Sequence, residues 1–312
     1  MIIANPIYDT VFKRLMENRR IARFFVETLI GEQVEEIAMM PKEYTCEKKS
    51  KKKKQKIQDE NEKEEVEILS VIRYDFVATI RNADGENKKV LIEIQKSSKP
   101  TDLMRFRTYL GEQYKLQDVV EVATGKVEKA LPIISIYLLG FSIPKIKTPA
   151  IKVNRTYIDM IGKTEIKQKS KLIEALTHDG YFVQIPHIKG KPRTLLEKLL
   201  SIFEQQYFID DKETTKEYEY PLDDKNVEEM VEMLKYAAAD PKTKREMEAA
   251  WWADQDEKEY ERMEKEIEEN KKAIAEKDKT IEEKDKKIEE KDKKIEEKDR
   301  EIAELKRLHG IE

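Results

Sequence analysis

The order of apolar and polar residues divides the chain into a patterned front part and a charged, thinly patterned tail. Between Asp9 and Leu29, apolar residues fall at Val11, Phe12, Leu15, Ile21, Phe24, Phe25 and Leu29, a spacing close to helical that breaks around Asn18. It predicts two short helices, or one bent helix, ending at Gly31, which suits a C-cap. Val34 to Tyr44 then reads as a connection and a first strand. Ile68 to Ile80 is rich in β-branched and aromatic residues, Val90 to Ile94 is an apolar run broken only by Glu93, and Asp84-Gly85 between them signals a turn. Together they predict a β-hairpin.

Helical spacing returns over Thr101 to Lys115 through Leu103, Phe106, Leu110 and Tyr114. Leu131 to Phe141 reads as a strand buried on both faces, Ile151 to Met160 and Tyr181 to Pro186 as further strands, and Arg193 to Tyr207 as an amphipathic helix. Val227 to about Trp252 is expected to form one helix that folds back on the core, with Trp251 and Trp252 anchoring its end. This order of elements predicts an α/β fold, a mixed central sheet flanked by helices.

From Tyr260 onward isoleucine recurs every seven residues, at Ile267, Ile274, Ile281, Ile288, Ile295 and Ile302. The second seam position is polar (Asn270, Lys277, Lys284, Lys291, Lys298) until Leu305. Glu282 and Lys286, Glu283 and Lys287, Glu289 and Lys293, and Glu290 and Lys294 are i,i+4 pairs in the favourable order, each contributing roughly 0.2–0.5 kcal/mol. A long charged C-terminal helix follows, either isolated or in a weak coiled coil that joins copies of the chain.

Composition sharpens this division. Only 39% of the 312 residues are hydrophobic and 40% are charged, so one core at the front with a solvated tail is the economical reading. The expected organisation is a core domain over 1–210, a helical extension over 211–254 and a charged heptad helix over 255–312. Within the first, 47–65 is Lys-rich and then Glu-rich, either a solvated loop insertion or a basic arm for phosphates. The 61 basic and 65 acidic residues nearly cancel, so a net charge of −4 does not exclude nucleic acid. Cys46 is the single cysteine, which excludes an intrachain disulfide and a cysteine-rich zinc site. No apolar run reaches the roughly 20 residues of a membrane span, and no signal core opens the chain, so a cytoplasmic location is expected.

Period-two alternation puts Asp75, Val77 and Thr79 on one strand face, and Glu93 with Gln95 on one face of the next strand. A carboxylate flanked by Ile92 and Ile94 is costly to bury without a partner or a metal. If the strands pair, Asp75 and Glu93 converge, and two hard oxygen ligands suit Mg²⁺. Equally, both acids can face solvent or pair with Arg73 or Lys96. Asp9 and Lys13 share a helix face, and Arg105, Arg107, Tyr109, Gln113 and Tyr114 combine positive charge with aromatic rings, which suits either a DNA groove or core packing by the tyrosines with arginine at the rim. His178, His187 and His309 form no triad pattern, and no Gly-rich phosphate loop is present.

Arg73-Tyr74-Asp75-Phe76, followed by Leu91-Ile92-Glu93-Ile94-Gln95-Lys96 and preceded by Asp9-Thr10-Val11-Phe12-Lys13, resembles the recombination-promoting nuclease and putative transposase family of the PD-(D/E)XK superfamily. Met104-Arg105-Phe106-Arg107-Thr108-Tyr109 with Tyr114 resembles the helix after the acid motif there, and the likeness runs from Asn5 to Tyr207. The resemblance implies a restriction-endonuclease-like fold and a Mg²⁺-dependent DNA endonuclease, with Mn²⁺ as substitute. It implies Asp75 and Glu93 as ligands and Gln95 where the wider superfamily has lysine, with Lys96 as the alternative lysine if the strand bulges. Asp9 is expected to complete the metal shell or its waters, and Lys13, Arg105 and Arg107 to meet DNA. For Asp9 and Lys13 an ordinary i,i+4 surface pair is the other reading.

Overall fold

Asn18 makes the first corner of the fold: its side-chain oxygen accepts from the backbone N–H groups of Arg20 and Ile21, so one helix stops and the next starts there. The computed structural model describes residues 1–39, 44–45, 71–72, 76–96, 102–122 and 125–309. Strand β1 (Ile2–Ala4) leads into helix α1 (Asp9–Glu17), and α2 (Arg19–Ile30) follows the Asn18 corner. Gly31 closes α2 at φ 70°, a left-handed conformation that glycine adopts without a Cβ penalty. Val11, Phe12, Leu15 and Met16 of α1 are buried, and Phe12, Phe25 and Phe203 meet edge-on or tilted at centroid distances of 5.6 to 6.3 Å.

Strand β2 (Val34–Met39) comes next, then a short ladder of β3 (Tyr44–Thr45) with β4 (Val71–Ile72). Strands β5 (Phe76–Asn82) and β6 (Asn87–Gln95) form the expected antiparallel hairpin, with Gly85 at φ 76° in the turn. Helix α3 (Asp102–Lys115) precedes a hairpin of β7 (Asp118–Val122) and β8 (Gly125–Lys129), and β9 (Ile133–Leu139) is the expected buried strand. Then come β10 (Ala150–Val153), the pair β11 (Tyr157–Ile158) and β12 (Glu165–Ile166), helix α4 (Lys171–Leu176) and β13 (His178–Gln184). Helix α5 (Leu195–Ser201), β14 (Thr215–Glu217), α6 (Lys225–Ala239) and α7 (Pro241–His309) complete the order.

Six strands form one mixed sheet in the order β10-β13-β9-β6-β5-β2, with β6, β9 and β13 parallel and the other neighbours antiparallel. Helices flank both faces. Ile92, Ile136 and Tyr181 are register partners on one face, and the Tyr181 hydroxyl donates to the Ile30 carbonyl of α2. Val77, Leu91 and Ile133 lie on the other, packed against Tyr109 and Leu110 of α3. Among the described residues no helix is long and apolar enough to cross a membrane.

Several expectations change. The first strand is β1, paired with β14, and not the one after Gly31. Ile151 to Met160 divides into β10 and β11, which belong to different sheets. The helix expected to reach Tyr207 ends at Ser201, and just beyond it the buried Lys216 ammonium donates to the Ile202 and Glu204 carbonyls. Val227 to Trp252 is not one helix. Asp240 caps a new one, its carboxylate accepting from Thr243 and the Lys242 N–H, and Pro241 stands at the first helical position where a missing N–H costs nothing. These bonds and the Arg14 ion pair hold the Asp240 carboxyl well below the usual range.

Trp251 and Trp252 therefore lie inside α7, edge to face at 4.9 Å, and terminate nothing. The chain separates into two compact units, Met1–Glu248 and Ala249–Glu312. In the second, the Glu289 and Lys293 pair forms at 2.9 Å, and all six heptad isoleucines are about half exposed.

Candidate active site

Strand β6 lies in the interior of the sheet, between β5 and β9, and its face toward α3 carries Lys89, Leu91, Glu93 and Gln95 in alternation. Burial of Glu93 and Gln95 is nearly complete, at 8% and 7% exposure. A carboxylate in such a place requires a cation. Arg105, in the first turn of α3, supplies one: its Nη2 lies 3.1 Å from Glu93 Oε1 and also donates to Gln95 Oε1. Two side-chain oxygens from alternate positions of one strand thus converge on a single cationic nitrogen. The guanidinium is flanked by the rings of Phe106 and Tyr109, at 5.3 and 5.8 Å from their centroids.

Beside this cluster, Glu93 has Tyr137 as its register partner on β9. Tyr137 stacks on Phe182 at 5.0 Å and meets Phe106 at 5.1 Å, so the cluster has an aromatic wall. Burial pushes the Tyr137 hydroxyl above its ordinary range; a hydrogen bond with Ser135 opposes the shift and the Glu93 charge adds to it. A cleft lined by Leu91, Glu93, Phe106, Tyr109, Ser135 and Tyr137 opens here. Ser135 and Tyr137 went unremarked in the sequence, although polar residues two apart in an otherwise apolar strand mark one face of it.

The end of β6 is held by close backbone contact. The Gly140 N–H donates to the Gln95 carbonyl at 2.7 Å, and a Cβ at Gly140 would meet the Lys96 carbonyl oxygen at 2.1 Å. Only glycine fits this approach. The ladders of β6 run without a register shift, and Lys96 Nζ sits 3.1 Å from the Tyr8 hydroxyl, 4.6 Å from its ring centroid and 3.6 Å from Glu213.

Asp9 and Lys13 form an exposed i,i+4 ion pair of 2.5 Å on α1. Arg107 is on the exposed side of α3. Asp75 lies outside the described residues, as does the charged stretch 47–65. The structure thus brings together Glu93, Gln95 and Arg105, and separately Asp9 with Lys13.

Among the described residues no group of three or more His, Cys, Asp or Glu is placed to hold a metal. Glu93 offers a hard carboxylate oxygen of the kind Mg²⁺ takes, with the Gln95 amide oxygen beside it, and both oxygens converge on the Arg105 guanidinium. Comparison with protein-family models, with curated proteins and with solved structures finds no match.

Proposed function

We propose that this chain is a magnesium-dependent endodeoxyribonuclease of the PD-(D/E)XK kind, acting with little sequence specificity in recombination or mobile-element movement. The supporting observation is the convergence of two buried oxygens, from Glu93 and Gln95, on one cationic nitrogen at the C-terminal end of an interior strand. The second carboxylate of the proposal is Asp75, next in sequence to Phe76, whose hairpin partner Ile92 adjoins Glu93.

Glu93 and Asp75 would hold Mg²⁺ or Mn²⁺, with Asp9 reaching its waters. The bound ion supplies Lewis acidity toward a phosphate oxygen and a lowered pKa for water. Gln95, neutral and adjacent, orients the attacking water through its amide. Arg105 neutralises charge on the scissile phosphate, while Lys13 and Arg107 bind flanking phosphates. Contacts to phosphate carry no base information, hence the low specificity. Lys96, in contact with Tyr8 and Glu213, is the alternative cation of the site.

The test is nicking of supercoiled plasmid by the purified chain in Mg²⁺. Asp75→Ala and Glu93→Ala are each expected to lower the rate by about 10² or more. Full activity in both variants refutes the site.

A second reading is favoured by the ion pair between Glu93 and Arg105 and by glutamine at position 95: a chain that binds DNA without cutting it. It expects binding that weakens steeply with salt and DNA left intact in Mg²⁺ and Mn²⁺.

The tail is proposed to pair with a second copy. Its isoleucine stripe is half exposed, and in a parallel, in-register pair Lys287 and Lys294 face Asp292 and Asp299 across the seam. Truncation after Asp254 is expected to lower the number of chains per particle measured by light scattering, and an unchanged number removes the tail from this role.

A further inference from the structure

We infer that Arg105 is an internal cation that competes with the divalent metal for Glu93 and with the metal's water for Gln95, and that metal binding turns it outward toward the DNA phosphate. This deepens the nuclease reading and rests on it. The geometry is that of a placeholder: Arg105 Nη2 stands where the Glu93 and Gln95 oxygens converge. A divalent ion on Glu93 with its water at Gln95 cannot share that space with a guanidinium nitrogen.

Arg105 is also built to leave. Its side chain is 32% exposed while that of Glu93 is 10% exposed, so the arginine has a path to water and the acid does not. It stands in the first turn of α3, where the helix dipole disfavours a cation. Glu93 therefore contributes to holding it there, and once Glu93 is neutralised by a metal that restraint is lost. The flanking rings of Phe106 and Tyr109 leave the guanidinium a surface to slide along. With the metal absent the acid stays paired, and a lone buried carboxylate is avoided.

The experiment uses the full chain with Mn²⁺ alone and no nucleic acid, free Mn²⁺ being counted by its electron paramagnetic resonance signal. Arg105→Met is expected to bind Mn²⁺ at least about tenfold more tightly than the unmodified chain, and Glu93→Gln to abolish binding in both backgrounds. In the chelated state Arg105→Met is expected to melt lower than the unmodified chain, and Mn²⁺ to raise its melting temperature by more. Equal or weaker binding by a folded Arg105→Met, with Glu93→Gln still abolishing it, overturns the competition and leaves the metal site standing. Absence of Mn²⁺ binding in every variant overturns both.

Should Arg105→Met fail to fold, the unmodified chain supplies the test through the Nε–H resonance of Arg105, identified by its loss in Arg105→Lys. It is expected to be slow in exchange with water under chelation and fast after Mg²⁺ is added. No change on saturation with Mg²⁺ overturns the proposal.

Discussion

Two pairs of opposite charge stand four residues apart on the same face of β6, and they differ in how far each is sealed. Lys89 Nζ meets Asp118 Oδ1 at 2.5 Å with side-chain exposures of 1% and 4%, and Asp118 also accepts from the Leu131 N–H. Glu93 meets Arg105 at 3.1 Å with 10% and 32%. The first pair is closed: neither charge can reach water or another ligand, so it fixes the β7 end of the fold against β6. The second is open on the arginine side. A buried acid with an exchangeable partner is a candidate for chemistry; one with a sealed partner is part of the frame.

The largest effect should come from breaking the sealed pair. Lys89→Met or Asp118→Ala strands one buried charge and is expected to cost about 3–5 kcal/mol in urea unfolding, whereas Lys89→Met with Asp118→Leu recovers most of the loss. A single-variant cost under about 1 kcal/mol would erase the distinction between the two pairs.

Lys216 extends the comparison to a third cation. Only 2% exposed, it lies against two backbone carbonyls, and burial pushes its ammonium down to about 7, with Glu204 opposing the shift. The native state then binds fewer protons than the unfolded chain above pH 7, so stability rises with pH from there. The slope is at most about 1.4 kcal/mol per pH unit, read between pH about 7 and 9.5, below the titration of the buried tyrosines. Lys216→Met should flatten it. An unchanged slope assigns the pH dependence elsewhere.

Opening the second pair should cost less. With Glu93→Ala, Arg105 can turn to solvent, and the expected loss is about 1–2 kcal/mol, measured by urea unfolding in chelator. A loss matching that of Lys89→Met would mean the site is as sealed as the frame. The smallest effect is expected at Gln113, 1% exposed with neither amide atom hydrogen-bonded. Gln113→Leu removes that desolvation cost and should be neutral or raise stability by about 1 kcal/mol in thermal melts.

Local signals carried much of the fold into the sequence. Asn18 and Gly31 bound the first helices, Asp84-Gly85 marks the hairpin, and the run from Ile133 to Leu139 names an interior strand. Asp240-Pro241 was equally legible as a cap and first-turn proline, but the apolar spacing on either side masked it. Strands β1 and β14 were not legible: each has three residues, and their pairing joins Ile2 to Glu217 across most of the first unit. The β7 and β8 hairpin was missed because its second strand is exposed along its whole length and shows no apolar face.

What the sequence determined by itself is the alternation of β6, which puts Glu93 and Gln95 on one face, and the heptad that makes α7 a long charged helix. Both follow from periodicity, a property of the chain that no distant contact alters. What only the tertiary structure decided is the partner each buried charge received. Nothing in the spacing assigns Asp118 to Lys89, two carbonyls to Lys216, or Arg105 to Glu93. Those choices depend on the packing of α3, β7 and α5 against the strands, and in a low-dielectric interior the nearest charge, wherever it lies in sequence, decides what a buried acid can do.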